Sequence, residues 1–355
     1  MRIFGAVLVA FTLAAVSIIA QSPAELPGAK YGADPSYKVP RTADGKPDLQ
    51  GVWGNNAVTP MTRPTQWKDK ERLTDAEVAE LQQIVQKFTD QGGDAIFQSV
   101  VQMALDAKEK GEFKQISYDA TTGNYNQFWM ADRDWDNRTS LIIDPPNGQY
   151  PPFTPAGMKR AMALAAQATP SESGPPGRAD GPEDRPLNER CISYGAPLAF
   201  AGYNAYQQIV QSPETVVILQ EMIHDARVVP MSPQPHLPKH VKQLHGDSRG
   251  RWEGDTLVVE TANFSEGNLF LGTSPEVKLT ERYTRVSRDF INWEITVDDP
   301  ATWTQPWTFM IRLKRSDDQL YEYACHEGNH SMVGILAGAR AAEAKAAAAS
   351  RTGSR

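Results

Sequence analysis

The chain has 355 residues, of which 40% are hydrophobic and 22% charged, and its formal net charge at pH 7 is −7. This length suffices for one large domain or two ordinary ones. Acidic and basic residues are interspersed and form no basic stripe, which excludes the usual pattern of a nucleic-acid-binding protein. We therefore expect a small-molecule ligand or substrate and no nucleic acid.

The N-terminal segment, residues 1–20, has one basic residue, then a long apolar run, and ends in Ala20. This order is typical of a secretory signal peptide. A membrane anchor is the alternative, because the run is near the lower length limit for a spanning helix. The polar, Pro-rich QSPAELPG that follows favours cleavage, and no later segment is apolar enough to span a membrane. The sequence predicts a periplasmic or secreted protein without a membrane span after cleavage.

An extended arm is predicted at 21–48, and helices follow it. The segments with helical apolar spacing are 73–87, 94–112 and 155–167. Thr74 with Glu77 three residues later forms a capping-box pattern at the start of the first helix. Thr154 and Pro155 suit the N-cap and the first position of the third helix.

Short segments of strand character, separated by tight turns, make up most of the rest of the chain. They are 49–53, 126–130, 139–144, 206–210, 215–219, 226–231, the hairpin 251–261, 277–286, 291–297, 307–313 and 320–325. This spacing predicts an antiparallel meander. About ten strands can close into a lipocalin-like barrel or form a strongly curved sheet. The predicted fold class is mainly β, with a few N-terminal helices and a C-terminal helical tail.

We expect one β-rich domain at 49–335. The helical segments at about 73–112 and 154–167 are insertions in it, and the Pro- and Gly-rich segment 168–190 is a long exposed loop. The Ala-rich segment 336–355 is helix-prone and forms a tail.

A barrel of this size can hold one small ligand. Tryptophans in or beside the predicted strands can line such a pocket or fill a core, and the core is the expectation for most of them. They are Trp129, Trp135, Trp252, Trp293, Trp303 and Trp307.

Residues 326–330 read HEGNH, which matches the zinc-peptidase signature H-E-x-x-H. A zinc peptidase needs both histidines one turn apart on a helix. The preceding YEYAC alternates like a strand, and Gly328 and Asn329 are poor helix formers. No third ligand follows at a usual spacing. The sequence therefore argues against a peptidase, and metal binding by His326 and His330 in another geometry is a weak alternative.

The histidines all follow residue 220, at His224, His236, His240, His245, His326 and His330. Imidazoles with neighbouring carboxylates suit acid–base chemistry near neutral pH. Asp225 and Arg227 share one face of a strand, and His224 points to the other. Either His224 or the Asp225/Arg227 pair can face a pocket, unless a bulge intervenes. A strand-end ion pair with a surface histidine is the alternative.

Two further segments carry polar residues in unusual density. The Pro-rich stretch 233–250 can cover a barrel mouth or be an ordinary solvated connection, and Asp247 and Arg249 in it are turn or pocket residues. In the strand LTERYTRV, Glu281, Tyr283 and Arg285 lie on one face, and neither face is apolar. This strand therefore lines a polar cavity or carries charge pairs with a neighbouring strand.

The two cysteines, Cys191 and Cys325, are consistent with one disulfide in an oxidising compartment or with two separate buried thiols. A disulfide would close a loop of about 134 residues. It would pin the His326–Glu327 turn against the Pro-rich loop and make the candidate site more rigid.

Several blocks of the sequence together resemble a large family of exported bacterial proteins that mostly carry no assigned activity. The blocks are DGKPDLQGVW, RTSLIIDPPNGQYPPFTPAG, RCISYGAP, VILQEMIHDARVVP, HGDSRGRWEGDTLVVETANF and YEYACHEGNHSM. The resemblance covers nearly the whole chain after the signal peptide and implies export and a single integrated domain. It supplies no catalytic residues.

The leading hypothesis from the sequence is an exported enzyme that acts on a small apolar or aromatic molecule as a lyase, hydratase or hydrolase. The candidate catalytic residues are His224 or His326 as the base, Asp225 or Glu327 to orient it, and Arg227 or Arg249 to stabilise an anion. The candidate substrate-binding residues are Arg249, Trp252, Glu281, Tyr283 and Arg285. A lipocalin-like ligand carrier without activity is the alternative, and a metal-dependent hydrolase is the third possibility. No phosphate loop, dinucleotide fingerprint or haem-attachment motif is visible, so no cofactor is expected.

Overall fold

The computed structural model describes residues 36–90, 99–111, 133–167, 179–199, 202–266 and 272–352. The predicted signal peptide, the strand predicted at 126–130 with Trp129, and the first part of the predicted 168–190 loop lie outside these residues. Among the residues described, no helix is long and apolar enough to cross a membrane.

The described elements follow the predicted order closely. They are β1 (Gly51–Gly54), α1 (Asp75–Asp90), α2 (Val100–Lys110), β2 (Ile142–Asp144), α3 (Pro155–Gln167), β3 (Tyr206–Gln211), β4 (Thr215–Gln220), β5 (Ala226–Pro230), β6 (Asp247–Glu253), β7 (Thr256–Ala262), β8 (Lys278–Arg285), β9 (Phe290–Asp298), β10 (Trp307–Ser316) and α4 (His330–Thr352). The protein is mainly β, as predicted, with helices that include one at the C-terminal end of the chain.

All the strands belong to one antiparallel sheet, with the order β5-β4-β3-β1-β10-β9-β8-β7-β6 and β2 paired to β10. Two meanders, β3 to β5 and β6 to β10, are joined by the N-terminal strand. In that strand, Trp53 lies opposite Gln207 of β3 and Arg315 of β10. The sheet therefore curves almost into a full circle, and β5 and β6, which follow each other in the chain, form its two edges.

The sheet is not closed into a barrel, because no hydrogen-bonded ladder joins β5 and β6 in the described part of the chain. We call this boundary the seam. The two strands nevertheless pack side by side: a Cβ on Gly250 of β6 would clash with the Met231 sulfur and lie 2.9 Å from Val229 Cγ1. Side-chain packing thus takes the place of backbone pairing. Of the two predicted alternatives, the structure has the curved sheet, and the lipocalin-like barrel is not confirmed.

The inner face of the sheet is filled by large apolar side chains. In β9, Ile291, Trp293 and Ile295 are at most 1% exposed, as is Trp307 of β10. A buried aromatic side chain removes about 150–250 Å² from water, which stabilises the fold by several kcal/mol at about 25 cal/mol per Å². The expectation that most tryptophans fill a core is met for Trp293, Trp303 and Trp307, whereas Trp252 is partly exposed.

Helices α1 and α2 form a second, smaller apolar cluster outside the sheet. The predicted capping box is present: the Thr74 amide donates to Glu77 Oε2 at 2.8 Å, and the Glu77 amide donates to Thr74 Oγ1 at 3.3 Å. At the start of α3 the Gly157 amide donates to Thr154 Oγ1 at 3.0 Å, which confirms the predicted cap. These helix starts depend on contacts within four residues, so the sequence predicts them well.

The strand predicted at 320–325 is wrong, because this segment has no regular structure until the turn that contains Cys325. Its alternating pattern finds no partner in β10, the strand before it, because β10 is already paired with β1, β2 and β9. Tyr321 is 78% exposed, and its amide donates to Glu221 Oε1 at 3.3 Å. The C-terminal helix begins at His330, six residues before the predicted tail.

Candidate functional site

A turn between β4 and β5 decides whether His224 or the Asp225/Arg227 pair faces the inside of the sheet. Ile223 and His224 have φ of 56° and 47°, in the left-handed region that non-glycine residues seldom adopt. His224 is exposed, whereas Asp225 and Arg227 are 8% and 3% exposed and face the inside of the sheet. The carboxylate and the guanidinium are therefore internal, and the predicted base is on the surface.

Arg227 forms a buried ion pair with Glu281. Its two terminal nitrogens lie 2.5 and 2.8 Å from the two carboxylate oxygens. Glu281 Oε2 also accepts from Tyr283 Oη at 2.8 Å and from Trp293 Nε1 at 3.1 Å. All four side chains are at most 3% exposed. The structure thus brings together three predicted site residues, in a place closed to solvent.

In this network Arg227 stays charged and Tyr283 stays neutral. Burial acts to lower the pKa of Arg227, but the adjacent Glu281 carboxylate outweighs it and raises that pKa. Burial, with the same carboxylate, raises the pKa of Tyr283 well above its ordinary value, so the phenol stays protonated. Arg285, predicted to act with them, instead donates to the Asp48 carbonyl at 2.8 Å and lies over the Trp53 ring.

A second polar cluster joins Ser193, Asp225 and His245 at one end of the seam. Ser193 Oγ donates to Asp225 Oδ2 at 2.8 Å, and His245 Nε2 lies 3.0 Å from Ser193 Oγ and 3.3 Å from Asp225 Oδ1. This is not the arrangement of a serine-hydrolase triad, in which the two imidazole nitrogens face different partners. Sequence reasoning missed Ser193 and His245, since they are distant from Asp225 along the chain.

The two cysteines are joined, as one of the two predicted alternatives required. The Cys191 and Cys325 Cα atoms are 5.6 Å apart and the sulfurs are bonded. The disulfide holds the Cys325 turn beside the segment that carries Ser193, and Asn329 Nδ2 donates to the Glu189 carbonyl at 2.9 Å.

The predicted site residues His326 and Glu327 are exposed, in the turn before α4. His330 is the first residue of that helix, so the two histidines of HEGNH do not lie one turn apart on a helix. Within the described ranges, no group of three or more His, Cys, Asp or Glu side chains is placed to hold a metal ion.

A histidine–aspartate pair that the sequence reasoning did not select joins the connection between β5 and β6 to the first residue of β6. His236 Nδ1 is 3.0 Å from Asp247 Oδ2, which also accepts from the Leu237 amide at 2.8 Å. Arg249 donates to Asp247 Oδ1 at 2.5 Å. Asp247 is 5% exposed, whereas the imidazole is 32% exposed. The only sequence signal for this pair was the density of histidine and acidic residues in 233–250.

The electrostatics of this pair favour an ionised carboxylate. Burial acts to raise the pKa of Asp247, but the Leu237 amide, His236 and Arg249 outweigh it and lower that pKa. An ionised carboxylate only accepts hydrogen bonds, so His236 Nδ1 carries the proton. Its Nε2 makes no hydrogen bond with any described residue.

Beside this pair, a groove of about 540 Å³ runs along the seam. This volume is in the range of small-molecule sites. Its lining includes Met231, Gln234, Arg249, Arg251, Trp252 and Glu260. Two predicted substrate-binding residues, Arg249 and Trp252, are therefore on one surface, while Glu281 and Tyr283 are in the buried network.

The groove is apolar at its floor and charged at its rim. Trp252 and Met231 pack on the main core, and Arg251 lies 3.1 Å from Glu260. The Nε of Arg249 is buried and has no hydrogen-bond partner in the described part of the chain. The arrangement can hold a molecule with an apolar body near an arginine and a histidine. No protein-family model matches this chain, and no curated protein matches it, so the family suggested by the sequence blocks stays a prediction.

Proposed function

We propose that the protein is an exported enzyme that acts on a small apolar or aromatic molecule by acid–base chemistry in the seam groove. The observation that carries the proposal is the 3.0 Å contact between His236 Nδ1 and Asp247 Oδ2 beside a groove of about 540 Å³. His236 takes the role for which the sequence suggested His224 or His326. Both of those imidazoles are exposed, whereas His236 has a buried carboxylate to orient it.

The pair suits proton transfer because each atom has one role. Asp247 fixes the proton on Nδ1 and leaves the Nε2 lone pair as the base. When Nε2 takes a proton, the imidazolium is stabilised by the same carboxylate. Arg249, which shares Asp247 and lines the groove, is placed to stabilise a developing anion on the substrate.

The reaction class follows from the groups at the groove and beside it: Arg249 lines the groove, and His236 lies next to it, bound to the Asp247 carboxylate that Arg249 also contacts. A base and an arginine suffice to remove a proton from carbon next to a carbonyl, or from a water that attacks the substrate. Elimination, hydration and hydrolysis are therefore the reactions that we propose, by a lyase, hydratase or hydrolase. Trp252 and Met231 would bind the apolar or aromatic part of the substrate.

Export remains part of the proposal, on the evidence of the sequence of residues 1–20. The Cys191–Cys325 disulfide is compatible with an oxidising compartment such as the periplasm.

The test is a turnover screen with a defined panel of aromatic esters, lactones, unsaturated acids and β-hydroxy acids, read by mass spectrometry. Addition or loss of water, or cleavage, identifies the reaction. His236→Gln and Asp247→Asn should each reduce turnover by about 10²–10⁴-fold. His240→Gln is the matched control, because this exposed histidine lies in the same connection. Full turnover by a folded His236→Gln variant would remove the assignment.

A ligand carrier is the second candidate, favoured by the apolar floor of the groove along the seam of an almost closed sheet. A lipocalin-like carrier would bind members of the panel tightly and return them unchanged. In that case Trp252→Ala should weaken binding, and His236→Gln should leave it nearly unchanged. Conversion of any bound compound would exclude a purely carrier role.

A further inference from the structure

The Cys191–Cys325 disulfide lies next to the cluster that bridges the seam. Asp225 directly precedes β5 and His245 lies two residues before β6, so their contact joins the starts of the two unpaired edge strands. Ser193 bonds to both, and the Tyr194 amide donates to Asp225 Oδ2 at 3.3 Å. The segment that bridges the seam therefore begins two residues after Cys191.

Cys191 itself has little freedom in this position. Its φ is 55°, in the left-handed region, and its side chain is 5% exposed. A non-glycine residue in this region is strained and persists where its surroundings hold it. The disulfide to Cys325 is the covalent contact that keeps Cys191 in this conformation.

The same disulfide anchors α4. Asn329, just before the helix, donates to the Glu189 carbonyl at 2.9 Å, and its Oδ1 accepts from the Met332 amide at 3.3 Å. Farther along, Arg340 donates to the carbonyls of Ala179 and Asp180 at 2.9 and 3.1 Å. From 341 to 351 every described side chain is exposed. The start of the helix is thus held beside the disulfide by Asn329, and its middle is held by Arg340.

We propose that the Cys191–Cys325 disulfide is a thiol-exchange site, and that its reduction by a dithiol releases both the Ser193 segment from the seam and α4 from the body. We expect the sheet and its core to stay folded, because neither cysteine belongs to the main apolar cluster of the described residues. This inference stands independently of the catalytic role proposed for His236.

The difference in exposure decides which sulfur reacts. Cys325 is partly exposed and Cys191 is buried, so a thiolate of the dithiol attacks Cys325 Sγ and Cys191 leaves as a thiolate. The second thiol of the reductant then attacks the mixed disulfide, and Cys325 leaves as a thiolate. Two electrons pass from the dithiol, which becomes a disulfide, and the two cysteines take up two protons.

The test is hydrogen exchange on the full chain before and after reduction with dithiothreitol, with complete reduction verified by thiol alkylation. Amides in 191–195 and in the first turns of α4 should exchange at least about tenfold faster after reduction, while β7 to β9 stay unchanged. The Cys191→Ser/Cys325→Ser variant should match the reduced protein and should not respond to dithiothreitol. Unchanged exchange in a fully reduced protein would overturn the inference, and so would loss of protection throughout the sheet.

Discussion

Arg227 and Glu281 pair across the inside of the sheet, although β4, β3, β1, β10 and β9 lie between their strands in the sheet order. The contact is possible only because the sheet curves almost full circle. The pair thereby connects the edge strand β5 to β8 across the inside of the sheet. The seam is thus held by side chains: the Asp225–His245 contact at one end, Met231 on Gly250, and this pair inside.

Glu281→Gln should destabilise the protein by about 3–5 kcal/mol, because it leaves the Arg227 charge buried without its partner. Equilibrium unfolding in urea measures this cost. Glu253→Gln is the matched control, since Glu253 pairs with Arg282 and Arg251 at the surface and should cost less than about 1 kcal/mol. Equal costs for the two variants would contradict a structural role for the buried pair.

Gly250→Ala should destabilise the protein by about 1–3 kcal/mol, because its methyl group would occupy the space of the Met231 sulfur. Met231 directly follows β5, and Val229 of β5 also lies close to Gly250, so the substitution tests the packing across the seam. The double variant Gly250→Ala/Met231→Ala should recover part of the loss, as measured by thermal unfolding. Gly334→Ala, in an open part of α4, should be neutral or stabilising. A neutral Gly250→Ala variant would mean that β5 and β6 do not pack closely.

Glu221 should make the protein less stable as the pH rises. Burial raises the pKa of this carboxyl above its ordinary 4.5, and the Tyr321 amide only partly opposes the shift. The folded state therefore holds the proton more tightly, so stability is full below pH 4.5 and falls as the pH rises through the raised pKa. Glu221→Gln should remove this fall, measured as the change in unfolding free energy between about pH 4 and about pH 7.

Glu77 provides the opposite sign in the same experiment. Lys70 and then the Thr74 amide lower its pKa to about 2. Its contribution to stability is present above the ordinary value of 4.5 and is lost as the pH falls towards 2. Glu77→Gln should therefore weaken the acid-side loss and leave the alkaline side unchanged. Identical pH profiles for the two variants would contradict both assignments.

Asp247→Asn should make the connection between β5 and β6 more mobile. The carboxylate holds the Leu237 amide, His236 and Arg249, and bonds to a charged group are worth about 1.5–3 kcal/mol each. Hydrogen exchange at 235–237 should rise, while exchange in β8 and β9 stays unchanged. Asp255→Asn, at an exposed ion pair with Arg41, is the control and should change neither. Normal protection of 235–237 in Asp247→Asn would show that other contacts hold this segment.

The sequence predicts the structure best where the contacts that determine an element join residues close together along the chain. The caps at Thr74 and Thr154 and the meander strands after residue 206 follow from interactions within a few residues or between adjacent strands. The pattern at 320–325 misled because alternation reports only that a strand is possible. A strand also needs an unpaired edge beside it, and β10, the strand before 320–325, is paired on both of its edges.

From the sequence alone it was determined that this chain folds as a mainly β protein with capped helices, because periodicity and capping are local properties. The tertiary structure decided that the sheet stays open between β5 and β6, that Glu281 binds Arg227, and that Asp247 orients His236. Those choices depend on how far the sheet curves and on which side chains then meet. The curvature is a sum over all the strands, and no single segment of the chain encodes it.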